Sequence, residues 1–337
     1  MESKSTVVSG ARPTGRLHIG NYFGSLKNWV EIQNQNKFSC YFFIADLHSL
    51  TTSYEKPSLI GENLFDVFID FLSVGLDPAK STLFLQSKIP QHSELYLLYS
   101  MITPVSWLER NPTVKDMIRD LDIHENVNLG LLGYPVLQAS DITLYKGDFV
   151  PIGKDQLPHL EITREIVRRF NTLYGNVFPE PQEMLTDNPY LIGLDGKKMS
   201  KSLGNTIHVT ANAEEVWGAV KNAITDPGRV YRKDPGHPEI CNVYKYYKVF
   251  SPETLPSLKA DCESGVIGCI DCKKKLSAII TDYLLPFYEK KMQLTSSNDS
   301  KNNVKDYLIE GTLKAKKVAE ATMQEIMEIF HFEVKNG

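Results

Sequence analysis

Thr6-Val7-Val8-Ser9-Gly10-Ala11-Arg12-Pro13-Thr14-Gly15-Arg16-Leu17-His18-Ile19-Gly20-Asn21 decides the fold of this chain. The β-branched opening reads as a strand, and Gly10 to Gly15 with Pro13 between them reads as a turn. From His18 onward Ile19, Tyr22, Phe23, Leu26 and Val30 fall at helical spacing. The same alternation continues outward. Cys40-Tyr41-Phe42-Phe43-Ile44-Ala45 is the continuous apolar run that a parallel strand, buried on both faces, requires. A helix is expected from about 58 to 74, stopped by Gly75 and Pro78, and Thr82 to Gln86 is expected as the next strand. This βαβαβ order predicts an α/β, doubly wound, Rossmann-like parallel sheet with ligands at the carboxyl ends of its strands. Gly10 to Gly15, Asp46 to His48 and Gln86 to Ser87 all fall at such ends.

Composition sets limits on what such a fold can serve. A chain of 337 residues with 42% hydrophobic side chains suggests two domains with proper cores. A net charge of −4 argues against bulk binding of polyanions, so any RNA contact has to come from local basic patches. No apolar run is long enough to span a membrane, and the polar start Met1-Glu2-Ser3-Lys4-Ser5 has no secretory apolar segment. A cytoplasmic protein is the expectation.

A second segment, Lys198-Met199-Ser200-Lys201-Ser202, is a basic loop preceded by glycine. Alone it reads as a solvated charge run. Paired in order with His18-Ile19-Gly20-Asn21, it resembles the two signatures of the class I aminoacyl-tRNA synthetases, His-Ile-Gly-His and Lys-Met-Ser-Lys-Ser. The resemblance implies activation of an amino-acid carboxylate by ATP with Mg²⁺, and the residue types suit that chemistry. A helix N-terminus offers N–H groups and partial positive charge to phosphate, and Gly20 lets the backbone approach adenosine. His18 and Asn21 can donate to phosphate oxygens, and Lys198 and Lys201 add positive charge on departing pyrophosphate. Asn21 replaces the family's second His but keeps a donor.

Tyr134, Gln138, Asp141 and Tyr145 lie at i, i+4, i+7 and i+11, so a helix would set all four on one face amid Leu132, Val136, Leu137, Ile142 and Leu144. Gly153-Lys154-Asp155-Gln156 and His159 follow a strand-like Phe149-Val150-Pro151-Ile152. With Gly-Ala-Arg-Pro-Thr-Gly at 10–15, the runs at 134–142 and 153–159 make the chain similar to the bacterial tryptophanyl-tRNA synthetases over most of its length. That resemblance implies that Asp141 accepts the indole N–H and that Tyr134 and Gln156 hold the substrate's α-amino group. Gly20, Gly153 and Asp155 would surround adenosine, with Lys115 near the phosphates, Arg12 near the reacting carboxylate and Gln138 in the pocket wall. The indole nitrogen is a donor only, which suits an acceptor-only carboxylate. The tyrosine enzymes are the near alternative; they usually carry Tyr on the first strand where this chain has apolar Val8, a better wall for an indole.

Beyond about 210 the pattern turns helical, with expected helices at 216–224, 252–262, 273–290 and 312–330, and with 296–303 read as a short polar loop. The expected division is a catalytic domain over 1–205 and an all-helical domain over 206–337, its last helix able to pack back on the first. The resemblance makes the second an anticodon-binding domain, with Lys273 to Lys275 as the candidate contact to RNA phosphate. Cys241, Cys262, Cys269 and Cys272 are spaced C-x20-C-x6-C-x2-C. Four thiolates can hold zinc or an iron–sulfur cluster. A subset of bacterial tryptophanyl-tRNA synthetases carries a [4Fe-4S] cluster on a similar pattern with a slightly longer first gap; zinc or bare thiols are the alternatives. The expected activity is two-step charging of tRNA(Trp) by a homodimer. A different adenylyl transferase or a silent RNA-binding paralogue are the alternatives from other classes.

Overall fold

The computed structural model describes residues 4–120, 127–185, 191–200 and 203–331, without the side chains of Asp120 and Asp155. Five strands form one parallel sheet in the order β3-β2-β1-β4-β5. They are β1 (Thr6–Ala11), β2 (Ser39–Ile44), β3 (Ser81–Leu85), β4 (Phe149–Ile152) and β5 (Gln182–Leu185). The order reverses between β1 and β4, which opens a crevice at their carboxyl ends. β1 to β4 coincide with the apolar runs of the sequence. β5 was not anticipated, because its side chains are mostly exposed and carry no apolar alternation.

Between β1 and β2 runs helix α1, made of Ile19–Asn21, a π-helical turn Tyr22–Leu26, and Lys27–Asn34. Such wide turns inside helices recur beside functional sites. α2 (Asp46–Ser53) and α3 (Pro57–Ser73) join β2 to β3. α4 (Gln91–Ile102), α5 (Val105–Arg110), α6 (Pro112–Asp120) and α7 (Leu129–Thr143) precede β4, and α8 (Leu157–Tyr174) follows it.

The remainder is helical: α9 (Ala213–Val220), α10 (Asn242–Phe250), α11 (Leu255–Glu263), α12 (Cys269–Thr295) and α13 (Asn298–Ile329). The segment read as a polar loop at 296–303 is instead the start of α13. Ser297 caps it, its side chain accepting from the Ser300 N–H, so the polar run is a helix entry. α13 returns to the sheet: Gly311 lies so close to the Leu83 carbonyl that no Cβ fits, and Leu85 N–H donates to Thr312 Oγ1 at 3.2 Å. It thereby covers the β3 edge, which would otherwise expose unpaired backbone groups. One apolar cluster runs from Val7, Phe42 and Phe68 through Val216 and Tyr246 to Leu276 and Leu284, so sheet and helices share a core.

Candidate active site

The two signature segments meet. His18 caps α1: its Nδ1 accepts from Asn21 N–H at 3.2 Å, while His18 N–H donates to Asn21 Oδ1 at 3.1 Å. Met199 of the basic loop lies on this cap. A Cβ added to Gly20 would stand 2.9 Å from both Met199 Sδ and His18 Nδ1, so any side chain there would displace one of them. Backbone bonds join the flanks, Ile19 N–H to Ile207 O at 2.9 Å and Val209 N–H to Leu17 O at 3.0 Å. Buried Asp70 of α3 clamps both sides, accepting from Leu17 N–H at 2.8 Å and Thr210 Oγ1 at 2.9 Å.

Asn205 organises the basic loop. It accepts from Ser200 N–H at 2.8 Å and donates to Asp195 Oδ1 at 2.7 Å and to Lys198 O at 3.1 Å. Its amide fills the space where any side chain on Gly193 would stand. The helical part steadies the same turn, with Asn242 Nδ2 donating to Gly193 O at 2.8 Å and Tyr246 Oη to Ile192 O at 2.7 Å. Lys198 is exposed beside this frame, and Ser200 is half-buried. Lys201 and Ser202, assigned to the same loop, lie outside the described residues.

Beyond the carboxyl ends of β2 and β3, Asp141 is buried to 1% exposure on α7. Its Oδ1 accepts from His92 Nδ1 at 2.6 Å and Gln86 Nε2 at 2.7 Å; its Oδ2 accepts from His48 Nε2 at 2.7 Å. Burial pushes the Asp141 carboxyl up, but His48 and His92 together outweigh it and hold the net value below the ordinary range. The group is therefore an ionised acceptor. Ser87 N–H donates to Asp46 Oδ1 at 2.9 Å and Leu47 N–H to Gln86 Oε1 at 3.1 Å, so the ends of β2 and β3 fix each other.

Tyr134, seven residues before Asp141 on the same helix, hydrogen-bonds through its hydroxyl to His159 Nε2, and His159 Nδ1 lies 3.0 Å from Gln156 Oε1. The structure thus joins Tyr134 to Gln156 through a histidine. Arg12 extends from the end of β1 toward the same place, its Nη2 on Thr52 Oγ1 and its charge felt by the Tyr134 hydroxyl. Burial lowers the Arg12 pKa, Tyr134 opposes that, and Arg12 Nε has no hydrogen-bond partner among the described residues. Gln138 is half-buried on the same helix. Val8 is fully buried, its Cγ2 so near Gly147 that an added Cβ there would stand 3.0 Å away. Gly153 caps the short turn Lys154–Gln156 at the end of β4; the side chain of Asp155 lies outside the described residues. Lys115 is exposed on α6, and no described side-chain bond ties it to the others.

In the helical part Cys241 caps α10, Cys262 lies on α11, and Cys269 and Cys272 open α12. Arg229 Nη1 stands 3.9 Å from Cys262 Sγ and 4.0 Å from Cys269 Sγ, while its Nη2 is held by Ile267 O at 2.8 Å. Burial raises the Cys272 thiol to about 12, with Cys241, Cys262 and Cys269 adding to the rise, so all four face one locality. No group of three or more His, Cys, Asp or Glu among the described residues is gathered closely enough to hold a metal ion. Lys273 corrects an expectation: it is buried, its Nζ donating to Lys221 O at 2.9 Å, so it is not presented to a phosphate. Lys274 and Lys275 remain exposed.

A parallel sheet whose first β–α turn carries a capped His-Ile-Gly-Asn helix, covered by a Lys-Met-Ser loop, is the frame of a class I synthetase. Residues 1–285 match the family of class I tRNA synthetases for W and Y, and the chain belongs to it. Among curated proteins the chain is 45% identical to the tryptophan–tRNA ligase of Thermotoga maritima, over 95% of this chain and 97% of that one. It is 40% identical to the tryptophan–tRNA ligase of Aquifex aeolicus, over 95% and 98% respectively. Among solved structures it is similar to tryptophanyl-tRNA synthetase from Campylobacter jejuni complexed with ADP and tryptophan, with a TM-score of 0.84, 34% identity, and 97% and 99% of the two chains covered.

The strand ends at Asp46 to His48 and at Gln86, and His159, are legible in the sequence; His92, Asn205 and Asp70 are not. His92 and Asp70 act on residues 49 to 140 positions away, and Asn205 braces an irregular turn within ten residues of itself, so no regular spacing marks any of them.

Proposed function

We propose that this chain is a tryptophan–tRNA ligase that forms tryptophanyl-adenylate and passes the acyl group to tRNA(Trp). The observation that carries it is the approach of Met199 to the His18–Gly20 cap, which sets a basic loop against a helix N-terminus. In the first step a carboxylate oxygen of tryptophan attacks the α-phosphorus of ATP, the bond to the β-phosphate oxygen breaks, and pyrophosphate leaves. In the second a ribose hydroxyl at the tRNA terminus attacks the acyl carbon and AMP departs. Mg²⁺ would be carried on the ATP phosphates, where it would neutralise their charge.

The chain's own groups align and neutralise. His18 and the α1 N-terminus face phosphate; with Asn21 Oδ1 given to the cap, Asn21 Nδ2 is its remaining donor. Lys198, with Lys201, Met199, Ser200 and Ser202, follows the leaving pyrophosphate. Gly20, Gly153, Asp155 and Lys115 surround the nucleotide. Arg12 meets the reacting carboxylate, Tyr134 and Gln156 the amino group, Asp141 the indole N–H, and Val8 and Gln138 the ring. Pyrophosphate exchange with each amino acid offered in turn tests this: tryptophan alone should drive it, whereas exchange driven by tyrosine would reassign the pocket.

Cys241, Cys262, Cys269 and Cys272 are the groups that would hold a [4Fe-4S] cluster, with zinc as the alternative. The approach of Arg229 to Cys262 and Cys269, with Cys241, Cys262 and Cys269 all raising the Cys272 thiol, supports that reading, and the cluster would supply a clip joining α10, α11 and α12. An absorption shoulder near ~400 nm in anaerobically purified protein would support it, and colourless, zinc-loaded protein would refute it. The catalytic and anticodon-binding roles are assigned to 1–205 and 206–337. The exposed row Leu97, Met101 and Val105 supports a homodimer through α4 and α5, testable by light scattering. No described helix is long and apolar enough to cross a membrane, in keeping with cytoplasmic work.

A further inference from the structure

The Asp141 carboxylate is served by three residues, and they are not alike. His92 and Gln86 are fully buried, whereas the His48 side chain keeps 12% exposure. The buried pair therefore stands behind the carboxylate and His48 stands on the cleft side. A carboxylate offers about four acceptor sites. Gln86 and His92 fill Oδ1, and Gln86 reaches across to Oδ2 at 2.9 Å beside His48. The two oxygens subtend too narrow an angle at Gln86 Nε2 for both of its hydrogens to engage, so one N–H is shared between them. Three donors thus serve about four sites, which leaves one for a further donor on the cleft side.

His92 is fixed in turn. Because a carboxylate only accepts, Nδ1 of His92 carries a proton, and its Nε2 lies 2.8 Å from the Tyr145 hydroxyl. Tyr145 stacks on Tyr41 with ring centres 4.9 Å apart, and the His92 ring stacks on Phe84 at 6.2 Å. The row Tyr145–His92–Asp141 is dry and packed on every side. Its members come from α4, α7 and the turn that follows α7.

We propose that His92 is a positioning residue for amino-acid selection: with Tyr145 behind it, it aims the Asp141 carboxylate so that an indole N–H is the one donor the cleft still requires. This rests on the reading of Asp141 as the indole acceptor. A histidine that merely filled the core would steady every substrate alike. One that aims the carboxylate matters only to a substrate bearing the N–H, since an unfilled acceptor site penalises its absence.

The test compares tryptophan with its sulfur isostere β-(benzothiophen-3-yl)alanine, which lacks the N–H, in pyrophosphate exchange. Asp141→Ala should first abolish the preference for tryptophan; if the preference survives, the reading of Asp141 fails and not the role of His92. Given that result, His92→Leu should cut kcat/KM for tryptophan about 10- to 100-fold, through KM, and change that of the isostere less than about threefold. His92→Asn, which restores a donor near the Nδ1 position, should recover most of the preference. Tyr145→Phe, which keeps the stacked ring and serves if His92→Leu fails to fold, should lose about three- to tenfold of the preference. Equal losses for both substrates, or a preference unchanged in His92→Leu and Tyr145→Phe, would overturn the proposal.

Discussion

At the amino-acid end of the cleft the groups around Asp141 are paired and largely buried: Asp141 with Gln86, His48 and His92, and His92 with Tyr145. At the nucleotide end Lys198 is exposed, and what is fixed is backbone: the His18 cap, the Gly20–Met199 contact and the Asn205 brace. The difference follows from what each end must do. Selecting one side chain calls for a rigid acceptor whose unfilled site is penalised. Escorting pyrophosphate out calls for charge that can move with it, carried on a loop with a firm base. One end is set by packing and the other by the frame around mobile charge.

Substitutions can break that contrast. The largest effect is expected from Asp141→Ala, which removes the acceptor and strands two histidines and a glutamine. Tryptophan-dependent exchange should fall by about 10³-fold or more, and stability by about 3–5 kcal/mol in urea melts. Lys198→Ala should lower kcat about 10²- to 10³-fold with the KM for tryptophan nearly unchanged, read by steady-state exchange. Gly20→Ala forces a methyl against Met199 and His18 and should cost about 10- to 100-fold in kcat with little change in melting temperature.

Asn205→Ala, the mildest of the four, should lower kcat about tenfold and stability by about 1–3 kcal/mol, because Asp195 and Lys198 O lose their shared donor. Acid sharpens the contrast from the other side. The Asp141 pKa is lower folded than unfolded, so its contribution is fully present above about pH 4 and is lost as pH falls through the folded value. The destabilisation of Asp141→Asn, measured by urea melts, should therefore be full at pH 7 and shrink below pH 4.

The contrast also explains what could be read from the sequence. The Lys-Met-Ser loop, the His18 cap and strands β1 to β4 are local: adjacent residues carry the signal. Tyr134 and Asp141 were legible because helical spacing sets them on one face. His92 was not, since it acquires its role from a partner brought near only by folding; Asp141 lies 49 residues from His92. Asn205 lies within ten residues of its partners, but the turn that joins them has no periodicity to mark it. Ser296 to Asn303 misled because a run of polar residues reads alike as a loop or as a capped helix entry, and Ser297 decides for the helix. Lys273 misled because a basic triplet on a helix places one member inward.

Calorimetric binding of tryptophan without ATP, to the Lys198→Ala and Asp141→Ala proteins side by side, tests this division of labour most directly. The account predicts that Lys198→Ala binds as tightly as the parent chain and that Asp141→Ala shows no measurable binding. Loss of binding in both, or retention in both, would contradict it.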